Sequence, residues 1–259
     1  MANKMFDLSG KVAVVTGGSR GIGRSICENL ARAGAKVVVS SRKLPVCEEV
    51  VAGIKKEGGE AMAVQASISD RAQLERLVAE TRKAYGKIDI LVCNAAANPY
   101  YGPLKEMPDE AFLKIMQNNV LSNLWLCNMV CPEMAERNDG SVIIVSSIGG
   151  LIGSKVLAAY GMSKAAAFSL CKSLAMEWGK SNVRINVIAP GLIKTDFAKA
   201  LWSNPVILKQ METGSPLGRI GEPDDIGGIA VFLASKAAAF VTGQTIIADG
   251  GVTSSGGES

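Results

Sequence analysis

The 259-residue chain contains no histidine. That absence excludes a Ser-His-Asp triad, a Cys-His nucleophile pair and nearly every catalytic zinc site, so proton chemistry has to run through another group. The six cysteines, Cys27, Cys47, Cys93, Cys127, Cys131 and Cys171, include no CxxC pair. Cys127 and Cys131 stand one helical turn apart but lack the ligand count for a metal, and all six read as reduced core thiols. Neither sign of charge dominates: 28 basic residues face 24 acidic ones, spread out with no basic stripe, which argues against nucleic acid as a partner. Apolar residues make up 48% of the chain, yet Gly, Ser or charge interrupts every run well before the roughly 18–20 residues of a membrane span. The first residues, MANKMFDLSGK, hold no apolar signal core, and the last, SSGGES, form no retention or peroxisomal address, so a soluble, cytoplasmic protein is expected. Nothing resembles a linker, and the length suits one domain over 1–259.

What is present is an alternation of short β-branched runs and amphipathic stretches. Strands are expected at 11–15 (KVAVV), 36–40, 61–65, 88–93, 141–146, 182–189 and 244–248, and helices at 22–32, 44–57, 71–85, 109–134, 158–178 and 222–233. That order predicts an α/β fold with a Rossmann-type, doubly wound parallel sheet of seven strands ordered 3-2-1-4-5-6-7, its ligand site at the strand carboxyl ends. Residues 98–108, with Tyr100, Tyr101 and two prolines, form a loop on that side. The stretch 194–216 reads as a substrate lid. Its Phe197, Leu201, Trp202 and Ile207 argue for a substrate with an apolar portion, the plainer alternative being that they pack onto the core.

Two clusters carry chemistry. The first strand runs into Thr16-Gly17-Gly18-Ser19-Arg20-Gly21-Ile22-Gly23 and then a helix. Glycines there let the backbone approach a pyrophosphate and aim helix amides at its charge. The second strand ends in Ser41-Arg42-Lys43 with no acid, where a carboxylate would hold the ribose 2′-hydroxyl of NAD. With Arg20 on the same side, two guanidinium groups and a hydroxyl could surround a 2′-phosphate, so NADP(H) is expected. The alternative is that Arg42 and Lys43 are solvated surface charges.

The second cluster is Tyr160-Gly-Met-Ser-Lys164, with Ser147 thirteen residues before the tyrosine at the end of the fifth strand. On a helix Tyr160 and Lys164 share a face. A phenol with a pKa near ~10 is a poor acid–base catalyst at neutral pH. An ammonium about 5 Å away at an effective dielectric of ~20 would favour the phenolate by roughly 3 kcal/mol, against an opposing effect of burial. A bare Tyr-x-x-x-Lys also decorates ordinary helices; its company is what distinguishes this one.

Together, the Gly-x-x-x-Gly-x-Gly turn, Ser147, Tyr160 and Lys164, and an asparagine upstream resemble the short-chain dehydrogenase/reductase family, from about Leu8 to about Gly251. The resemblance implies that Ser147 orients a substrate oxygen, Tyr160 exchanges its proton, Lys164 lowers the tyrosine's pKa and binds the nicotinamide ribose, and Asn119 supports a proton relay, with Asn118 its rival. It further implies cofactor contacts at Gly17, Ser19, Arg20, Gly21, Ile22, Gly23, Ser41 and Arg42. Ser67 and Ile68 stand on the adenine side, where the family often has Asp. Asn94, Ala95 and Ala96 fall where the family commonly shows Asn-Asn-Ala-Gly, Cys93 and Ala96 being the departures. Tyr160, Lys164, Pro190, Gly191, Ile193 and Thr195 complete the set. Asp249-Gly250-Gly251 resembles the family's structural closing signature. A tetramer with helices 109–134 and 158–178 in an interface is implied as well, and residues from 253 read as a loose tail. The implied activity is NADP(H)-dependent reduction of a ketone or aldehyde, SSRK and APGLIKTDF resembling NADP-dependent carbonyl reductases. A 3-oxoacyl thioester reductase shares these motifs. A non-catalytic dinucleotide sensor or scaffold has the same fold. A sugar-nucleotide epimerase would need a larger C-terminal substrate domain.

Overall fold

The computed structural model describes residues 4–254. The elements run β1 (Val12–Thr16), α1 (Gly21–Arg32), β2 (Lys36–Ser41), α2 (Leu44–Lys56), β3 (Glu60–Gln65), α3 (Arg71–Tyr85), β4 (Ile90–Cys93), α4 (Asp109–Met116), α5 (Ser122–Glu136), β5 (Gly140–Val145), α6 (Ala158–Trp178), β6 (Val183–Pro190), α7 (Lys199–Trp202), α8 (Pro205–Thr213), α9 (Asp224–Ala234) and β7 (Thr245–Ala248). The seven strands form one sheet in the expected order 3-2-1-4-5-6-7, every neighbouring pair parallel.

Successive strand side chains point to opposite faces, and both faces are covered. Ala13, Val15, Val37, Val39 and Ile143 pack with Ile26 and Leu30 of α1, Val50 of α2 and Ile226 and Leu233 of α9. Val14, Val38, Leu91, Val142 and Ile144 pack with Leu74 and Leu77 of α3, Leu126 and Val130 of α5 and Leu174 of α6. The thiols divide between the two layers: Cys27 and Cys47 in the first, Cys93, Cys127, Cys131 and Cys171 in the second, all reduced and buried.

Three boundaries differ from expectation for identifiable reasons. β4 starts at Ile90, because Asp89 before it turns its carboxylate to the Val12 amide (2.8 Å) and to Lys87 (3.0 Å). The helix expected over 109–134 is interrupted by a π-turn, Gln117–Leu121, between α4 and α5. The stretch 194–216 folds into a 3₁₀ turn (Asp196–Ala198), α7 and α8, the last started by Asn204, whose side chain accepts from the Val206 and Ile207 amides. No residue of α7 or α8 is buried, so the lid's apolar side chains rest against the protein without entering its core. Asp249 closes the C-terminal turn by accepting from Gly251 N, Thr253 N and Thr253 Oγ1, which corrects the expected looseness at 253; residues 255–259 lie outside the described residues. Among the described residues no helix is long and apolar enough to cross a membrane.

Candidate active site

Parallel strands deliver all their carboxyl ends to one edge of the sheet, and the singled-out residues gather there. After β1 the chain turns at Gly17, with φ +66°, and enters α1 at Gly21. Arg20 precedes the helix in an extended conformation and no side chain caps it, so the first helical amides keep their capacity for an anion. A Cβ at Gly23 would run into the Gly17 carbonyl. The turn is therefore closed by the absence of side chains, as a pyrophosphate cradle requires. Ser19 and Ile22 flank it half-buried.

The end of β4 is tied to the end of β1. Thr16 Oγ1 accepts from the amides of Asn94 (3.1 Å) and Ala95 (3.2 Å), and Asn94 Nδ2 donates to the carbonyls of Thr16 (2.9 Å) and Gly17 (3.2 Å). The backbone of Ala95 and Ala96 is thereby held beside the glycine turn.

Asn119 sits in the π-turn, where the extra residue redirects the side chain toward the β4 loop. Its Oδ1 accepts from Ala97 N (2.8 Å), and its Nδ2 donates to Ala97 O (3.0 Å) and Ser163 Oγ (3.0 Å). Ser163 Oγ in turn donates to Tyr160 O (2.7 Å). The Asn119 amide is a buried strut from the β4 loop to α6, and its side chain is saturated by these partners. Asn118, equally buried, faces away and accepts from Ser69 Oγ (2.8 Å), so neither asparagine is solvated.

β5 and α6 meet along a close seam. Ser146 Oγ donates to Lys164 O (2.8 Å), and Lys164 Nζ donates to Val145 O (2.9 Å). A Cβ at Gly161 would stand 2.6 Å from Gly149 O, so only glycine lets α6 lie this near the turn after Ser147. Ser147 Oγ accepts from Gly149 N (3.0 Å) and lies near enough to the Tyr160 phenol to lower its pKa, and Lys164 Nζ lies 5.4 Å from the centre of the Tyr160 ring.

Electrostatically the free site departs from the sequence expectation. Burial pushes the Tyr160 phenol up to about 12, only partly offset by the Ser147 hydrogen bond. Burial also pushes Lys164 down to about 8. The ammonium donates to Val145 O and lies over the ring, and burial outweighs it, so the phenol is not made acidic.

On the adenosine side Ser41 Oγ lies 3.1 Å from Cys47 Sγ and accepts from Lys43 N (3.3 Å). Ser67 donates its amide to Gln73 Oε1 (3.0 Å), and Ile68 packs on the core. The Arg42 side chain is exposed. Arg20 faces Asp196 of the lid at 3.7 Å. After β6, Gly191 N donates to Ala248 O (2.9 Å), extending the register in which Pro190 pairs with Ala248. Ile193 bridges to Gly221, and Thr195 O accepts from Trp202 Nε1 (2.8 Å). The glycine turn, its uncapped helix and the strand ends fit a dinucleotide.

Phe197 meets Tyr160 with ring centres 6.1 Å apart. A narrow crevice beside Tyr160 is walled by Tyr100, Leu104, Met107, Ile115 and Leu157. Sequence reasoning missed Ser163, Asp196 and the Phe197 contact. Ser163 carries a signal in hindsight, one turn from Tyr160; the lid contacts carry none, being set by tertiary placement.

Residues 17–253 match a family model described as enoyl-(acyl carrier protein) reductase. Dehydrogenase/reductase SDR family member 4 of Bos taurus is 42% identical over 244 residues, covering 94% of this chain and 88% of that protein. Among solved structures, a 7α-hydroxysteroid dehydrogenase complexed with NADH and 7-oxo glycochenodeoxycholic acid superposes with a TM-score of 0.93 at 36% identity, covering 97% of this chain and 98% of its own. A gluconate 5-dehydrogenase of Burkholderia cenocepacia in complex with NADP and tartrate does so with a TM-score of 0.93 at 30% identity, with the same coverage. The chain belongs to the short-chain dehydrogenase/reductase family, NAD(P)(H)-dependent oxidoreductases acting on CH–OH and C=O groups.

Proposed function

We propose that the chain catalyses reversible hydride transfer between NADP(H) and a ketone or aldehyde that carries an apolar portion. The observation that carries this reading is the seam between β5 and α6, which brings Ser147, Tyr160 and Lys164 to the strand ends beside the glycine turn. The bound dinucleotide supplies or takes the hydride. Ser147 holds the substrate oxygen, and Tyr160 donates its proton to that oxygen in reduction and takes it back in oxidation. Burial keeps the phenol protonated at neutral pH, the form that donates to a substrate oxygen in reduction. Lys164 places its charge over the same ring, and this reading assigns it the nicotinamide ribose hydroxyls. Asn119 holds Ala97 and, through Ser163, the Tyr160 backbone.

The NADP(H) preference rests on Arg20 and the Ser41-Arg42-Lys43 segment, which lacks a carboxylate for a ribose 2′-hydroxyl. The apolar portion of the substrate rests on the crevice and on Phe197. A homotetramer is supported by large apolar side chains left outside on α4 and α6, Leu113 and Met176, 63% and 85% exposed.

The test is NADPH consumption against aromatic ketones, steroids, sugars and 3-oxoacyl thioesters, together with Tyr160→Phe. The variant is expected to lose about 10²–10⁴ in kcat while binding NADPH as the parent does. Normal turnover in Tyr160→Phe refutes the catalytic assignment, consumption confined to thioesters moves the substrate to the acyl class, and no consumption with any substrate returns the fold to a dinucleotide sensor.

A further inference from the structure

Three consecutive residues at the root of the lid each touch a different part of the nucleotide site. Thr195 lies on the glycine turn: a Cβ at Gly21 would stand 2.9 Å from Thr195 Cγ2. Asp196 faces Arg20, with Oδ2 3.7 Å from the guanidinium. Phe197 meets the Tyr160 ring. The segment is stiffened from behind, because Trp202 Nε1 donates to Thr195 O and Lys194 lies over the Trp202 ring while pairing with Glu222 at 3.9 Å. A displacement of Asp196 is therefore passed along the chain to its neighbours on either side.

Arg20 is the guanidinium to which the NADP(H) reading assigns the 2′-phosphate, and in the free protein a carboxylate already stands there. A phosphate dianion and a carboxylate cannot both approach one guanidinium closely without repelling each other. We propose that Asp196 is a specificity-determining residue of the cofactor site, a built-in anion that Arg20 must release to a 2′-phosphate, so that the position of the lid root over Tyr160 reports whether the nucleotide carries that phosphate. This rests on the NADP(H) reading above. An NAD(H) molecule has no group to displace Asp196, so it binds with the carboxylate in place. An NADP(H) molecule exchanges Asp196 for a stronger anion and unfastens the residues next to Phe197.

The experiment measures dissociation constants of NADPH and NADH, by cofactor fluorescence, for the parent and for Asp196→Asn. Both Arg20 and Asp196 are largely exposed, so the pair is weak, and its removal is expected to tighten NADPH by about two- to fivefold while leaving NADH unchanged. Equal tightening of both cofactors, or of neither, overturns the proposal while the NADP(H) reading stands. A parent protein that binds NADH more tightly than NADPH overturns the NADP(H) reading and the proposal with it. A second measurement needs no nicotinamide: trypsin cleavage after the exposed Lys199 is expected to quicken severalfold with adenosine 2′,5′-bisphosphate relative to adenosine 5′-monophosphate. That difference disappears in Asp196→Asn if the carboxylate is the fastening. Identical cleavage with the two nucleotides in the parent protein overturns the proposal.

Discussion

The seam between β5 and α6 and the lid over it face each other across Tyr160, and they are held by different means. In the seam nearly every polar side chain is tied to backbone: Lys164 to Val145, Ser146 to Lys164, Ser163 to Tyr160, and Asn119 to both groups of Ala97. Lys164, Ser163 and Asn119 are buried, where breaking such bonds strands polar groups away from water. The lid has no buried residue in either of its helices, and beside Thr195 at the glycine turn it touches the site through an exposed ion pair and a tilted ring contact. Each of those is worth about 1 kcal/mol or less. The protein thus fixes the groups that would handle the proton and fastens the stretch over them more loosely.

The sharpest way to break this contrast is to remove the strut. Asn119→Ala leaves the amide and carbonyl of Ala97 without partners and is expected to cost about 2–4 kcal/mol, which lowers the unfolding temperature by roughly 2–4 °C per kcal/mol in a thermal scan. A loss under ~1 kcal/mol would mean that the seam is no stiffer than the lid. The next effect is one of pH. Burial pushes Lys164 down to about 8 in the folded protein against 10.5 in the unfolded chain, so between those values the unfolded chain binds more protons and stability rises with pH. Relative to Lys164→Met, the parent is expected to gain stability as pH rises from about 8 toward 10.5, with a flat difference below that window, read from urea midpoints. Tyr160 acts with the opposite sign: its folded value of about 12 exceeds its ordinary 10, so stability falls as pH climbs through that upper interval. A Lys164→Met difference that does not change with pH would show that the ammonium is solvated. The smallest effect belongs to the lid: Phe197→Ala is expected to leave stability within about 0.5 kcal/mol and raise KM for an aromatic ketone about three- to tenfold with little change in kcat. An unchanged KM would remove Phe197 from the substrate's path.

Much of the fold was legible because most strands are compact β-branched runs and many turns carry a glycine or a cap. KVAVV at 11–15 and the glycines at 17, 21 and 23 place one another without tertiary help. Tyr160 and Lys164 share a helix face by spacing alone, whereas joining them to Ser147 took the resemblance carried by the glycine turn and the upstream asparagine. Asn119 was found through the resemblance, but nothing in a run of two asparagines reveals that a π-turn aims one at Ala97 and the other at Ser69. The acidity of Tyr160 was anticipated from Lys164 prevailing over burial. Its actual value depends on burial and on the Val145 carbonyl that engages the amine, both of which arise only once the sheet and α6 are assembled. The contacts of Asp196 and Phe197 join segments far apart in sequence through weak interactions, and no local pattern encodes them.

The six thiols sealed between the sheet and its helices have a practical corollary. Burial pushes Cys27, Cys47 and Cys171 above their ordinary values, the last to about 12, and Cys171 also donates its proton to Ile185 O. Thiolate is what alkylating and oxidising reagents attack, so the native molecule offers them almost nothing to react with. Colour developed by a thiol reagent therefore counts molecules that have opened, giving each variant a clock for how often its interior meets solvent.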